Sequence, residues 1–270
     1  MNAMSTTADP TILTLKWGDR YGSDYVNTLY RAAESQMAGR RFRFLCFTDE
    51  SSGLLNTIET RPIPDMPIDR SVWTHGMFPK LFMFIPEIIA IGTPVLFLDL
   101  DVMITGDLAR MFDRIAAVGG LHVIREWNPT IWRALPVKWR PNRGSNSSVV
   151  GFRAGEQPHL WSMFQKDPEG VMTTYRNDQI FIDAHAKDRH YWPNSWCGSF
   201  KRHCAWHWPL NYVFTTPARP RDFSVLTFHG RPDYHSLLLE DGAKRWGTEW
   251  RFGRKPVSWV KDYCDRFRSL

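Results

Sequence analysis

The segment Phe97-Leu98-Asp99-Leu100-Asp101-Val102 sets two carboxylates two residues apart at the end of an apolar run. In extended backbone, residues i and i+2 point to the same side. Two like charges beside a dry core are costly unless a cation or strong donors neutralise them. Hard oxygen ligands of this kind suit Mg2+ or Mn2+. The competing reading is a pair of solvated caps leading into the next helix. Further on, Asn177-Asp178-Gln179 places an acid and an amide where Asn and Asp also favour a helix N-terminus. His229, in Phe228-His229-Gly230, is either a metal ligand or a hydrogen-bonded histidine at a strand end. Lys80 is either a cation at the site or a solvated helix residue.

The elements that must position these groups follow from local pattern. Thr11 to Leu15 and Arg43 to Phe47 read as strands, each ending in a polar loop, and Thr57 to Ile63 as a third. Val95 to Leu98 has no alternation, which fits a strand buried on both faces. Ser23 to Met37 carries Tyr25, Leu29, Ala32 and Ala33 at helical spacing. Lys80 to Ile85 reads as a helix stopped by Pro86, and Asp107 to Ile115 as a helix with an acidic start. Leu121 to Arg125 and Ser148 to Phe152 read as later strands, joined by a long loop rich in Trp, Pro and Arg. Strands alternating with helices predict an α/β fold with a mostly parallel central sheet. Such sheets bind ligands beyond the carboxyl ends of their strands, which is where Asp99 and Asp101 fall.

Composition narrows the class. The chain has 270 residues, 43% hydrophobic and 23% charged, which excludes a disordered, collagenous or coiled-coil protein. A formal net charge of +6 is only mildly basic and does not argue for nucleic acid. Four scattered cysteines do not make a disulfide scaffold. The first ten residues lack the basic and apolar regions of a secretory signal. Leu81 to Leu98 is interrupted by Pro86, Glu87, Gly92, Thr93 and Pro94, so it reads as two buried elements rather than a membrane helix. These features predict a cytoplasmic protein. Without repeats or a clear linker, residues 1–270 read as one domain ending in a basic tail over 236–270. From Lys244 to Leu270 eight Lys and Arg stand against three acids. Val260, Tyr263, Cys264 and Phe267 lie there at helical spacing. They fit either a helix docked on the core or a weak contact with an anionic membrane, at its inner face.

Tyr191 to Tyr212 concentrates Trp192, Trp196, Trp206 and Trp208 with Cys197, His203, Cys204 and His207. The spacing does not match a usual zinc finger. An acceptor-binding loop with indole faces for a sugar and a packed aromatic corner are the two better readings.

Taken in order, Leu15-Lys16-Trp17-Gly18, Phe47-Thr48-Asp49, Lys80-Leu81 and Leu98-Asp99-Leu100-Asp101 resemble the nucleotide-sugar half of GT-A glycosyltransferases. The likeness is to the retaining family-8 group containing glycogenin and bacterial lipopolysaccharide galactosyltransferases. It continues through Asn146-Ser147-Ser148-Val149-Val150-Gly151-Phe152, Asn177-Asp178-Gln179 and Phe228-His229-Gly230, spanning roughly residues 12 to 235.

The resemblance implies a GT-A, Rossmann-like nucleotide-diphospho-sugar transferase fold. Residues 11–120 would form the nucleotide-sugar half and 121–235 the acceptor half. It implies Mn2+ or Mg2+ held by Asp99, Asp101 and His229. It implies a UDP-sugar donor bordered by Lys16, Trp17, Gly18, Lys80, Asn146, Gly230 and Arg231, and by the two metal-binding aspartates. Asp178 and Gln179 would act at the transferring sugar, and the acceptor would be a glycan or lipid-linked saccharide. In the group, the acceptor attacks from the face of the leaving group, so no dedicated base is needed. Two departures stand out. The group's Lys-Pro after His-Gly is here Arg231-Pro232-Asp233, and Asn146-Ser147-Ser148 replaces a segment of smaller residues.

Two other classes fit parts of the chain. Leu98 to Thr105 resembles the nucleophile loop of haloacid-dehalogenase-type phosphatases, with Asp99 attacking phosphorus and Asp101 as the acid. That loop normally opens the chain, whereas about a hundred residues precede it here. A non-enzymatic basic protein using the tail and Trp clusters is the third reading, without a nucleic-acid-binding motif to support it.

Overall fold

The computed structural model describes residues 8–128, 132, 135–219, 222–238, 245–248 and 251–268. Lys244, Glu249 and the side chains of Arg245 and Arg251, all counted in the basic tail, lie outside the described residues.

Eight of the strands are β1 (Thr11–Lys16), β2 (Arg43–Thr48), β3 (Glu59–Arg61), β4 (Pro94–Leu98), β5 (Val102–Ile104), β6 (Leu121–Arg125), β7 (Ser145–Arg153) and β8 (Arg189–Tyr191). All but β5 form one sheet, in the order β3-β2-β1-β4-β7-β6-β8. Its neighbours are parallel except where β7 pairs with β4 and β6. The sheet is therefore mostly parallel, with β7 alone reversed.

Both faces of this sheet are covered, which explains the unbroken apolar runs. Ile12, Phe44, Cys46, Leu96, Leu98 and Val149 join one core, while Leu13, Leu45, Phe47, Val95, Phe97 and Val150 join the other. Helix α1 (Ser23–Gln36) covers the first face, burying Tyr25, Val26, Leu29, Ala32 and Ala33. Helix α2 (Ala109–Val118) lies beside it, burying Met111, Phe112 and Ile115. Asp107, expected inside α2, stands before it and accepts from the Ala109 amide at 2.8 Å.

The second face is covered by a 3-10 segment, Phe78–Phe84, and by α3 (Pro158–Lys166). A regular helix was expected from Lys80. Pro79 at the start, the left-handed Met77 before it and burial of all seven residues give a tight 3-10 turn instead. Helices α4 (Pro168–Thr174) and α5 (Asp178–His185) follow.

A second, three-stranded sheet brings distant segments together. Strands β9 (Cys197–Ser199) and β10 (Val225–Thr227) join β5 in the order β5-β10-β9. Thr227 pairs with Val102, and the Phe228 amide donates to the Asp101 carbonyl at 3.0 Å. His229 is thereby carried to the neighbourhood of Asp101.

Strands β11 (Arg245–Thr248) and β12 (Arg251–Arg254) make a hairpin. The final helix, α6 (Ser258–Arg268), packs against α1 and buries Trp259, Val260, Cys264 and Phe267. Arg31 on α1 donates to the Phe267 and Arg268 carbonyls, holding its last turn. The docked-helix reading of the tail is the one observed, and its apolar face is not available to a membrane. Among the described residues, no helix is long and apolar enough to cross one.

Candidate active site

The carboxyl ends of β1 and β4 and the amino end of β7 open onto a cleft of about 500 Å³. Trp17, Gly18, Lys80, Asp99, Asp101, Asn146, Asp178, Gln179, His229 and Gly230 all line it. Residues up to 213 positions apart in sequence, Trp17 and Gly230, thus meet in one place. Lys16 and Arg231 do not line the cleft. The Lys16 ammonium donates instead to the Glu50 carbonyl at 3.2 Å, and Arg231 is exposed.

The acidic centre is built on β4. The Asp99 amide donates to the Ser148 carbonyl at 3.0 Å, fixing the turn that follows the strand. Lys80, buried on its 3-10 segment, places Nζ 2.6 Å from Asp99 Oδ1 and 2.7 Å from Oδ2. Burial alone would push this lysine's pKa down. The charges of Asp99 and Asp178 outweigh it and hold the ammonium above its usual value. Asp101 is buried too. Burial first, then the Asp99 charge, pushes its pKa up to about 7, despite the opposing charges of Lys80 and Arg20.

Asp178 begins α5 on the far wall. Asn177 caps that helix, accepting from the Ile180 amide at 3.0 Å. The Asp178 amide donates to the Gly76 carbonyl at 2.8 Å. Gly76 has φ +66°, and a side chain there would come within 2.8 Å of the Arg176 carbonyl and 2.9 Å of Asn177 Cα. Only glycine lets the two segments approach so closely. The Asp178 carboxylate accepts from Ser147 Oγ at 2.7 Å, and Gln179 Oε1 accepts from the Ser147 amide at 3.3 Å. Burial raises the Asp178 pKa to about 6, with Lys80 and the Ser147 hydrogen bond opposing.

His229 faces the cleft from β10. Its Nε2 lies 2.8 Å from Ser199 Oγ, and its ring stacks on Trp127 at 5.6 Å. Among the described residues, no three His, Cys, Asp or Glu side chains are gathered closely enough to hold a metal ion. The structure brings His229 into the cleft of Asp99 and Asp101 without closing the three into a ligand set. Nor are Cys197, His203, Cys204 and His207 gathered as a zinc site. Burial raises the pKa of both thiols, opposite to what a thiolate ligand requires.

Several lining residues escaped the sequence reading. Arg20 and Tyr21 come from the loop after β1, Arg176 precedes the α5 cap, and Ser147 bridges Asp178 and Gln179. Arg20 lies three residues beyond Trp17 and Arg176 adjoins Asn177, so proximity to chosen motifs was the available signal.

The strand order, the single reversed strand and the carboxylates at the end of β4 define a GT-A glycosyltransferase fold. The chain shares this fold with the galactosyltransferase LgtC, solved in complex with donor and acceptor sugar analogs. The TM-score is 0.61 at 14% identity, over 96% of each chain. The glycosyltransferase GlyE of Streptococcus pneumoniae TIGR4 matches with a TM-score of 0.55 at 15% identity, over 95% of this chain and 61% of that one. Mouse xyloside xylosyltransferase 1 matches at 0.50 and 15% identity, over 82% of this chain and 98% of that one. No family model and no curated protein matches the sequence.

Proposed function

We propose that this protein is a metal-dependent glycosyltransferase. It moves a sugar from a nucleotide sugar, with UDP as the nucleotide, to a saccharide or lipid-linked acceptor, with retention at the anomeric carbon. The observation that carries the reading is the Lys80 ammonium bonded to Asp99 and facing the charge of Asp178, with buried Asp101 alongside, at the carboxyl ends of parallel strands. The cleft's volume of about 500 Å³ suits a ligand of nucleotide-sugar size.

The chemistry of the donor set fits a hard divalent cation. Burial, and then the Asp99 charge, raise the Asp101 pKa against the opposing charges of Lys80 and Arg20, so its carboxylate is short of compensating positive charge. A divalent ion supplies that charge. Asp99 and Asp101, with His229 as the nearby imidazole, are the residues that would hold Mn2+ or Mg2+. Such an ion, when bound, offsets negative charge on the leaving diphosphate.

The chain's own residues do the rest. Lys80, Arg20 and Arg176 bring positive charge to the cleft where the diphosphate would lie. Trp17, edge-on to Trp73 at 5.4 Å, is a rigid apolar border for the base. Asp178 and Gln179, both tied to Ser147, orient oxygen atoms toward a sugar that gains positive character. Attack from the leaving group's face needs no separate base, in keeping with a wall of held carboxylates. A cytoplasmic location belongs to the same reading. No observation favours the phosphatase: the three solved structures named above as sharing the fold are glycosyltransferases.

Thermal melting with UDP, with and without Mn2+, tests this. A ligand at a hundred times its dissociation constant adds about 2.7 kcal/mol. A shift that requires the metal and vanishes in Asp101→Ala supports the reading. No shift with any nucleotide and metal rules out a nucleotide-sugar site.

A further inference from the structure

Residues 189–221 contain no Asp or Glu in 33 positions, and five Lys or Arg. Within this stretch, Trp208, Leu210, Tyr212, Val213 and Phe214 are all exposed, Val213 by 73% and Leu210 by 50%. Five large apolar side chains in seven residues make a patch that water disfavours.

The knob is built, not frayed. Leu210–Tyr212 forms a 3-10 turn around buried Asn211. The Phe214 amide donates to the Leu210 carbonyl at 2.8 Å, and Trp206 packs on Phe214 at 4.9 Å. Its base is tied to the body where the Arg254 amide donates to Thr215 and the Trp259 indole to Pro217. Exposed Arg254 and Arg219 lie at that base, and Arg219 shares a small cleft with Trp259, exposed Arg266 and Asp262.

We propose that the 208–214 knob inserts into an anionic lipid surface, with these arginines against the headgroups. Aromatic and aliphatic tips flanked by basic side chains match that surface in polarity and charge. A basic protein partner would be repelled by the arginines. The knob takes over the membrane role that the apolar face of α6, buried on the core, cannot serve. It also lies close in sequence to the cleft: Ser199 and Lys201 touch His229 through its Nε2 and its carbonyl. Docking would set the cleft beside acceptors carried on lipid, although it does not depend on the transferase reading.

The test is flotation of the full chain with vesicles of phosphatidylglycerol and phosphatidylcholine, against phosphatidylcholine alone. The wild type should float with the anionic vesicles, less so as salt rises. Leu210→Ser/Val213→Ser should lower the partition about tenfold or more with the melting temperature held, because both side chains are exposed. Arg219→Glu/Arg254→Glu should independently abolish the preference for phosphatidylglycerol. Absence of wild-type flotation, or unchanged partition in both variants, overturns the proposal. So does a wild-type dimer in sedimentation that the apolar variant dissociates, which would make the knob a protein interface.

Discussion

Lys80 Nζ spans both oxygens of the Asp99 carboxylate, at 2.6 and 2.7 Å, from a segment that is otherwise packed apolar core. Lys80 is buried, while Asp99 keeps 17% of its side chain open to the cleft, so its carboxylate still meets water. Lys80→Met should therefore destabilise the protein by about 1–3 kcal/mol, less than the loss of one partner from a fully buried pair. Adding Asp99→Asn should recover part of that loss. Chemical denaturation of the two single variants and the double variant measures the coupling. Simple additivity would show that the pair is not the structural unit described here.

Asp178 gives the cleft a pH signature. Its folded-state pKa is raised to about 6 from an ordinary value near 4, so the folded protein holds this proton more tightly than the unfolded chain. Its contribution to stability is greatest below pH 4, is lost as pH rises toward 6, and is level above that. Asp178→Asn removes the titration. The stability difference between wild type and variant should move by about 2–3 kcal/mol between pH 4 and 7, in the variant's favour. Urea unfolding at several pH values reads this directly, and a flat difference would contradict it.

Gly76→Ala should cost about 1–3 kcal/mol, because alanine strains the left-handed backbone and its Cβ meets the Arg176 carbonyl. The same change should loosen the amide bond between Asp178 and Gly76. Transfer should fall further than stability alone explains, seen as a lower kcat at a temperature where the variant is fully folded.

How far the sequence could be read depended on where the information was local. Val95–Leu98 and the two aspartates after it were readable because an unalternating apolar run and an i, i+2 acid pair are contiguous signals. Asn177 was readable as a cap for the same reason, and it caps α5. The clamp by Lys80 was not, since a 3-10 segment held by Pro79 and full burial looks like a helix in local pattern. Reversal of β7 carries no local signature either: parallel and antiparallel strands buried on both faces have the same composition. Ser147 and Gly76 were missed because their importance is a contact, with Asp178 in both cases. Trp127 stacks on His229 across about a hundred residues of chain, which no periodicity reports.

Turnover is the most direct test of the central claim. The wild type, Asp101→Ala and Asp178→Asn would each be incubated with a panel of UDP-hexoses and Mn2+, with and without saccharide acceptors. Release of UDP and the anomeric form of the product would be followed by NMR. The expected result is metal-dependent release of UDP from one donor, an α-linked product from an α-linked donor, and a fall of about a hundredfold or more in both variants. A folded wild type that consumes no nucleotide sugar, or variants that match it, would contradict the assignment of this cleft to glycosyl transfer.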